Sequence, residues 1–209
     1  MTSASSATPS GSRIPLIPSL ETLRGARRDD EVIITTMGSA REWMTLGDPH
    51  PLDLILVPSA MGHGTSIGLG IALAQPTKRV IVCSGDGSLL MNLGSLASIV
   101  AARASNLVVI VFDNGVYEVT GQQPTAGAAA SRADGRAADF CGIARACGFS
   151  SVHAFTDATA WSTGARSALD AKGPTFIALN VEPVVGGIAP HSPGPTAARA
   201  KQLMEALRR

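Results

Sequence analysis

Six short runs, apolar and rich in β-branched residues, set the rhythm of this chain: EVIITT (31–36), LDLILV (52–57), RVIVCS (79–84), NLVVIVF (106–112), SVHAF (151–155) and TFIALNV (175–181). Segments of helical length lie between them, at 66–74, 89–104, 137–147 and 157–171. A strand that is apolar along its whole length is covered on both faces, and strands joined by helix-length crossovers run parallel. The rhythm therefore predicts an α/β fold, a doubly wound and mostly parallel sheet with helices on each side. The chain has 209 residues, 45% of them hydrophobic, which suits one domain with appendages and a sizeable core.

Charge narrows the range of partners. Seventeen basic side chains against sixteen acidic ones leave a net charge of +1, with no electrostatic footprint for nucleic acid or an acidic membrane. No apolar run approaches the roughly 20 residues needed to span a bilayer. The opening MTSASSATPSGSR lacks the positive start and apolar stretch of a secretory signal, so a disordered tail over 1–18 and a soluble, cytoplasmic protein are expected. Cys83, Cys141 and Cys147 show no CxxC spacing and read as buried thiols in a reducing compartment. Arg24, Arg27 and Arg28, followed by Asp29, Asp30 and Glu31, read as a solvated helix end. The final segment, 196–209, predicts a helix with Ala200, Leu203, Met204 and Leu207 on one face.

Two acidic turns interrupt the apolar pattern. Gly85-Asp86-Gly87-Ser88 follows the third run, with Ser88 expected to open a long helix, and Asp113-Asn114-Gly115 follows the fourth. In open parallel sheets ligands bind beyond the carboxyl ends of the strands, where both turns are expected. A carboxylate and an amide oxygen from neighbouring strand ends can share one hard cation. Magnesium is usually held by one or two such groups plus phosphate oxygens. Taken singly, each turn is also an ordinary Asp/Asn/Gly turn. Taken together they carry a spacing, with 26 residues between Gly87 and Asn114. The rival GHGTSIG (62–68) imitates a dinucleotide fingerprint, but its third glycine comes one residue late, and no GxxxxGK[ST] occurs.

Gly-Asp-Gly, this gap and then Asn resemble the cofactor motif of the thiamine diphosphate-dependent 2-oxo acid decarboxylases. Three stretches extend the likeness: SAMGHGTSIGLGIALAQP (59–76), GDGSLLMNLGSLASI (85–99) and DNGVYEVTGQQPT (113–125). Together they are similar to the cofactor-binding domains of phosphonopyruvate decarboxylase and of the sulfopyruvate decarboxylase β subunit. The resemblance implies a thiamine diphosphate-binding (diphosphate-side) domain over 19–195, ahead of the C-terminal helix. It makes Asp86 and Asn114 side-chain ligands of Mg2+, with the Val116 carbonyl as a third ligand. It turns Gly85, Gly87 and Ser88 toward the diphosphate and makes Gly38 and Ser39 a second diphosphate loop. Met61 takes the place of the apolar wedge under the cofactor, the Ser59 carbonyl meets the aminopyrimidine, and Gly62 and Tyr117 border the same site.

The resemblance further implies a carboxy-lyase subunit, inactive alone, acting on a short anionic 2-oxo acid such as sulfopyruvate or phosphonopyruvate. In the family a glutamate from a pyrimidine-binding domain activates the cofactor. The length of this chain suggests that a separate partner chain supplies that domain, in a hetero-oligomer or homodimer. A non-catalytic cofactor-binding or regulatory subunit and an acetolactate synthase-like carboligase are the alternatives. Some relatives place a catalytic glutamate six residues after the metal-binding Asn, where this chain has Thr120. Glu118, two positions short, reads as turned away from the cofactor; it and His63 are the catalytic candidates, His63 being equally readable as a histidine satisfied in a turn. Arg41, Arg132 and Arg136 are candidates for the substrate's anionic tail. The stretch 121–138 reads as a functional or mobile loop, and His191 as an element of a lid.

Overall fold

Each of the six apolar runs is a strand of one sheet. The computed structural model describes residues 13–57, 60–184 and 193–208. In chain order its elements are α1 (Leu16–Ala26), β1 (Val32–Thr36), α2 (Met37–Trp43), β2 (Asp53–Leu56), α3 (Gly64–Ala74), β3 (Val80–Gly85), α4 (Asp86–Leu90), α5 (Ser95–Ala101), β4 (Leu107–Asp113), β5 (Val116–Tyr117), β6 (Gln123–Pro124), α6 (Phe140–Cys147), β7 (Ser151–Phe155), α7 (Ala158–Asp170), β8 (Thr175–Asn180) and α8 (Thr196–Leu207). The six-stranded sheet has the order β2-β1-β3-β4-β8-β7, and every pair in it is parallel. β5 and β6 form a separate two-residue antiparallel ladder.

Alternation along the buried strands divides the core in two. Ile33, Ile81, Val108, Ile110 and Ile177 face α1, α2 and α7, where Leu20, Trp43 and Trp161 complete the layer. Val32, Ile34, Val82, Val109 and Phe176 face the other way, against Leu96, Ile99, Phe140 and Leu203 of α5, α6 and α8. Local signals fix several helix ends. The side chains of Asp139 and Asp157 accept from the third amide beyond them, at the starts of α6 and α7, and Gly148 closes α6 at a left-handed φ of 98°.

The structure departs from the sequence reading at several points. Residues 13–18 are part of the fold: Ile14 bridges Val181 and α1 begins at Leu16, because both side chains are buried against the sheet. Residues 1–12 of the expected tail lie outside the described residues. The single helix expected over 89–104 is two, α4 starting at Asp86 rather than Ser88 and α5 at Ser95. Asn92 and Gly94, weak helix formers, lie at the break, and Asn92 Nδ2 donates to the Gly62 carbonyl instead of facing solvent. The charge run is solvated only in part, at Arg28, Asp29 and Asp30. Arg27 forms a buried ion pair with Asp53, and Glu31, 1% exposed, receives both Nη1 and Nη2 of Arg166. On α8, Leu203 is buried but Met204 is 55% exposed, so the apolar face is narrower than its pattern suggested. No described helix is long and apolar enough to cross a membrane. The three cysteines are free, Cys83 and Cys141 buried and Cys147 half-buried.

Candidate functional site

The sheet order reverses at β1: β2 lies on one side of it and β3 on the other. Such a switch point opens a crevice beyond the carboxyl ends of the strands. A cavity of about 280 Å³ lies there, lined by residues that follow β1 (Met37, Gly38, Ser39), β3 (Asp86, Gly87, Ser88) and β4 (Asn114, Val116, Tyr117). Met37 takes a left-handed φ of 52° where β1 turns abruptly into α2, strain of the kind that concentrates at functional sites.

Register brings the two acidic turns together. Gly85 of β3 pairs with Phe112 of β4, so the next residues, Asp86 at the start of α4 and Asp113 at the end of β4, lie side by side. Asp86 is 1% exposed, and its Oδ2 accepts from the Thr125 hydroxyl at 2.7 Å. The backbone amides of Asn114 and Gly87 also donate to its carboxyl group. Burial raises the Asp86 pKa despite these donors. Burial, reinforced by the nearby Asp86, pushes Asp113 up to about 6. Among the described residues that line the cavity none is Lys, Arg or His.

Asn114 is held at both ends of its side-chain amide. Oδ1 accepts from the Val116 amide at 2.9 Å, and Nδ2 donates to Glu118 Oε1, also at 2.9 Å. Glu118 is therefore turned into the site, against the sequence expectation. Its short 3-10 turn, Glu118–Thr120, brings the carboxylate inward, where Oε1 also accepts from the Val184 amide at 2.7 Å. Burial raises the Glu118 pKa, with Glu42 and Asp86 adding to the shift. Thr120 borders the cavity, but its hydroxyl donates to Gln123.

The remaining predicted positions divide into those gathered at the cavity and those outside it. Gly38, Ser39, Met61, Gly85, Gly87, Ser88, Val116 and Tyr117 all line it. Ser39 and Ser88 have structural partners as well: the Ser39 hydroxyl donates to the Thr36 carbonyl, and Ser88 Oγ accepts from the Gly62 amide. Gly62 is thus joined to the cavity wall through Ser88 and Asn92. At Gly87 a β-carbon would lie 2.3 Å from the Tyr117 ring, so this glycine makes room for an aromatic side chain. His63 is exposed before α3 and is not among the lining residues, because its backbone serves as the helix start and its ring points to solvent. Ser59 and His191 lie outside the described residues.

None of the three arginines lines the cavity. Arg132 pairs with Asp134 on the surface and Arg136 is exposed. Arg41 borders a neighbouring polar cavity of about 230 Å³ together with Glu42 and Glu118. Thr125, in the loop 121–138, is the site residue that pattern reading missed; a buried threonine in a polar stretch carries no periodic signal. Met91 and Val119, about half exposed, join Met61 as large apolar side chains that line the cavity yet remain open to solvent.

The donor set suits a hard divalent cation. A buried carboxylate whose ionisation is opposed by burial lines the same cavity as the neutral side-chain amide of Asn114, and a cation would supply the missing counter-charge.

Comparisons with known proteins identify the family. Residues 36–179 match the family model for the thiamine pyrophosphate enzyme, C-terminal TPP binding domain. A phosphonopyruvate decarboxylase from Streptomyces viridochromogenes is 41% identical over 156 residues, covering 75% of this chain and 36% of the relative. The sulfopyruvate decarboxylase subunit beta of Methanothermobacter thermautotrophicus is 35% identical over 167 residues, 80% of this chain and 82% of the relative. This chain thus spans about a third of the phosphonopyruvate decarboxylase but most of the subunit beta. Among solved structures, the thiamine diphosphate-dependent 4-hydroxybenzoylformate decarboxylase of Rhodococcus jostii RHA1 shares the fold at a TM-score of 0.66 and 22% identity, over 87% of this chain and 35% of that one.

Proposed function

For this chain, which belongs to the thiamine pyrophosphate enzyme family through its C-terminal TPP-binding domain, we propose the role of a β-type subunit in a magnesium-dependent decarboxylase of a short anionic 2-oxo acid. The single observation that carries the proposal is the meeting of Asp86 and Asn114 at one cavity beyond the ends of β3 and β4. The relatives named above as phosphonopyruvate decarboxylase and sulfopyruvate decarboxylase subunit beta support the choice of substrate class.

In this reading Asp86, Asn114 and the Val116 carbonyl hold Mg2+, and Gly38, Ser39, Gly85, Gly87 and Ser88 form the wall against which the diphosphate rests. When bound, thiamine diphosphate would supply the nucleophilic carbon and the electron sink that decarboxylation of a 2-oxo acid needs. The chain's own part is to bind, orient and exclude water. Met61 supports the coenzyme from beneath, and Tyr117 closes one side over Gly87. Met61, Met91 and Val119 form an apolar rim for a partner chain carrying the pyrimidine-binding half, consistent with the word subunit in the name of the relative that this chain covers most fully.

The test is carbon dioxide release from sulfopyruvate, phosphonopyruvate and pyruvate by the chain co-expressed with a pyrimidine-domain partner. The expected result is release from one of the anionic-tailed acids, dependent on magnesium and on both chains, and abolished by Asp86→Ala. A stable complex that retains the coenzyme but turns over none of these acids favours a binding or regulatory subunit, the reading to which Thr120 at the family's glutamate position points. Acetolactate formed from pyruvate favours the carboligase.

A further inference from the structure

Glu118 touches three strand ends at once, although it does not occupy the family's glutamate position. Its Oε1 accepts from Asn114 Nδ2 beyond β4 at 2.9 Å and from the Val184 amide beyond β8 at 2.7 Å. On the β1 side, a β-carbon at Gly38 would lie 2.8 Å from Oε2, so the missing side chain there leaves room for this carboxylate. The contact with Asn114 has a directional consequence. A carboxylate only accepts hydrogen bonds, so the amide must turn its NH₂ toward Glu118, while the Val116 N–H only donates and must face Oδ1. Both neighbours therefore select the same one of the two amide orientations. Oδ1 spends one lone pair on Val116 and keeps the second for a cation.

We infer that Glu118 is a positioning residue: by fixing the Asn114 amide it presents Oδ1 to the magnesium ion. The inference rests on the proposed function, in which Asn114 is a metal ligand. Outer-shell groups of this kind typically contribute 10–100-fold to metal affinity. Glutamine at 118 retains an acceptor oxygen in the same place and preserves the orientation; alanine does not.

The experiment is equilibrium binding of Mn2+, as a reporter for magnesium, to the full chain at saturating thiamine diphosphate, with free Mn2+ read by electron paramagnetic resonance. Glu118→Ala is expected to raise the half-saturating Mn2+ concentration by about 10–100-fold, while Glu118→Gln stays close to the wild type. Equal affinity in the alanine variant overturns the inference. If Glu118→Ala does not fold, Glu118→Met, which keeps the length of the side chain and removes the acceptor, takes its place: a half-saturating Mn2+ concentration raised by about tenfold or more is expected, and affinity equal to the wild type overturns the inference. Asp86→Ala, run alongside, separates the two claims. Should it keep metal-dependent coenzyme binding, the functional reading itself fails; should it lose binding while Glu118→Ala matches the wild type, only the role of Glu118 falls.

Discussion

The Thr125 hydroxyl donates to Oδ2 of Asp86 at 2.7 Å, both residues buried and 39 positions apart. This bond ties the polar loop to the end of β3. Thr125→Val keeps the shape and removes the donor, leaving a buried carboxyl group short of one partner. A hydrogen bond to a charged group contributes about 1.5–3 kcal/mol. The variant should unfold at lower urea concentration at pH 7, and its coenzyme binding should need higher magnesium. An unchanged denaturation midpoint would mean that the bond is replaced by water.

Gly87 is expected to tolerate no side chain while Tyr117 is present. A β-carbon there would come within 2.3 Å of the ring, and overpacking of this kind costs about 1–3 kcal/mol. Gly87→Ala should therefore be destabilised, and Tyr117→Ala in the same chain should recover part of the loss. Two strictly additive costs in urea denaturation would show that the ring and the glycine do not interact.

The Arg27–Asp53 pair is predicted to matter more than a surface ion pair, with the two side chains 7% and 3% exposed. Asp53 also accepts from Trp43 Nε1 and from the His50 amide. Asp53→Ala would strand the guanidinium in the interior, at a cost of about 3–5 kcal/mol. A loss below about 1 kcal/mol, the value of an exposed pair, would show that solvent reaches Arg27.

His50 sets a pH dependence whose sign follows from its partners. Its Nδ1 receives the Leu52 amide and Arg27 Nη2, so the neutral ring accepts there and a proton would face the guanidinium. Burial, then Arg27, lowers its pKa from 6.5, with the opposing pull of Asp53 and Asp29 overcome. A histidine whose folded pKa is depressed stabilises the fold above its unfolded pKa, and that contribution is lost as pH falls through the folded value. His50→Asn keeps an acceptor and cannot take up the proton. Between pH 7.5 and 5 the wild type should lose stability relative to this variant; parallel stability curves would remove His50 from the account.

Much of the fold was legible because strand burial leaves a direct trace in the residues. A parallel strand covered on both faces must be apolar at every position, so Val80–Gly85 and Leu107–Asp113 stand out without any partner in view. The acidic turns were legible for the converse reason, since nothing in an apolar strand calls for Asp86 or Asn114 at its end. α1 left a weaker trace. The charges around it read as solvated until Asp53, Asp170 and Arg166, distant in sequence, came to pair with them. The separation of α4 from α5 was likewise hidden, because Asn92 is drawn to Gly62, 30 residues away.

The sequence by itself determined the sheet and, through its resemblance to the thiamine diphosphate-dependent family, which two strand ends to propose as the cofactor site, because periodicity and motif spacing are local properties of the chain. Which way Glu118 turns, what occupies Gly38's missing side chain, and that Thr125 rather than His63 reaches the site were decided only in three dimensions. These outcomes depend on register between strands and on loops folding back across them, and a hydrogen bond between distant residues leaves no periodic signal in either partner's neighbourhood.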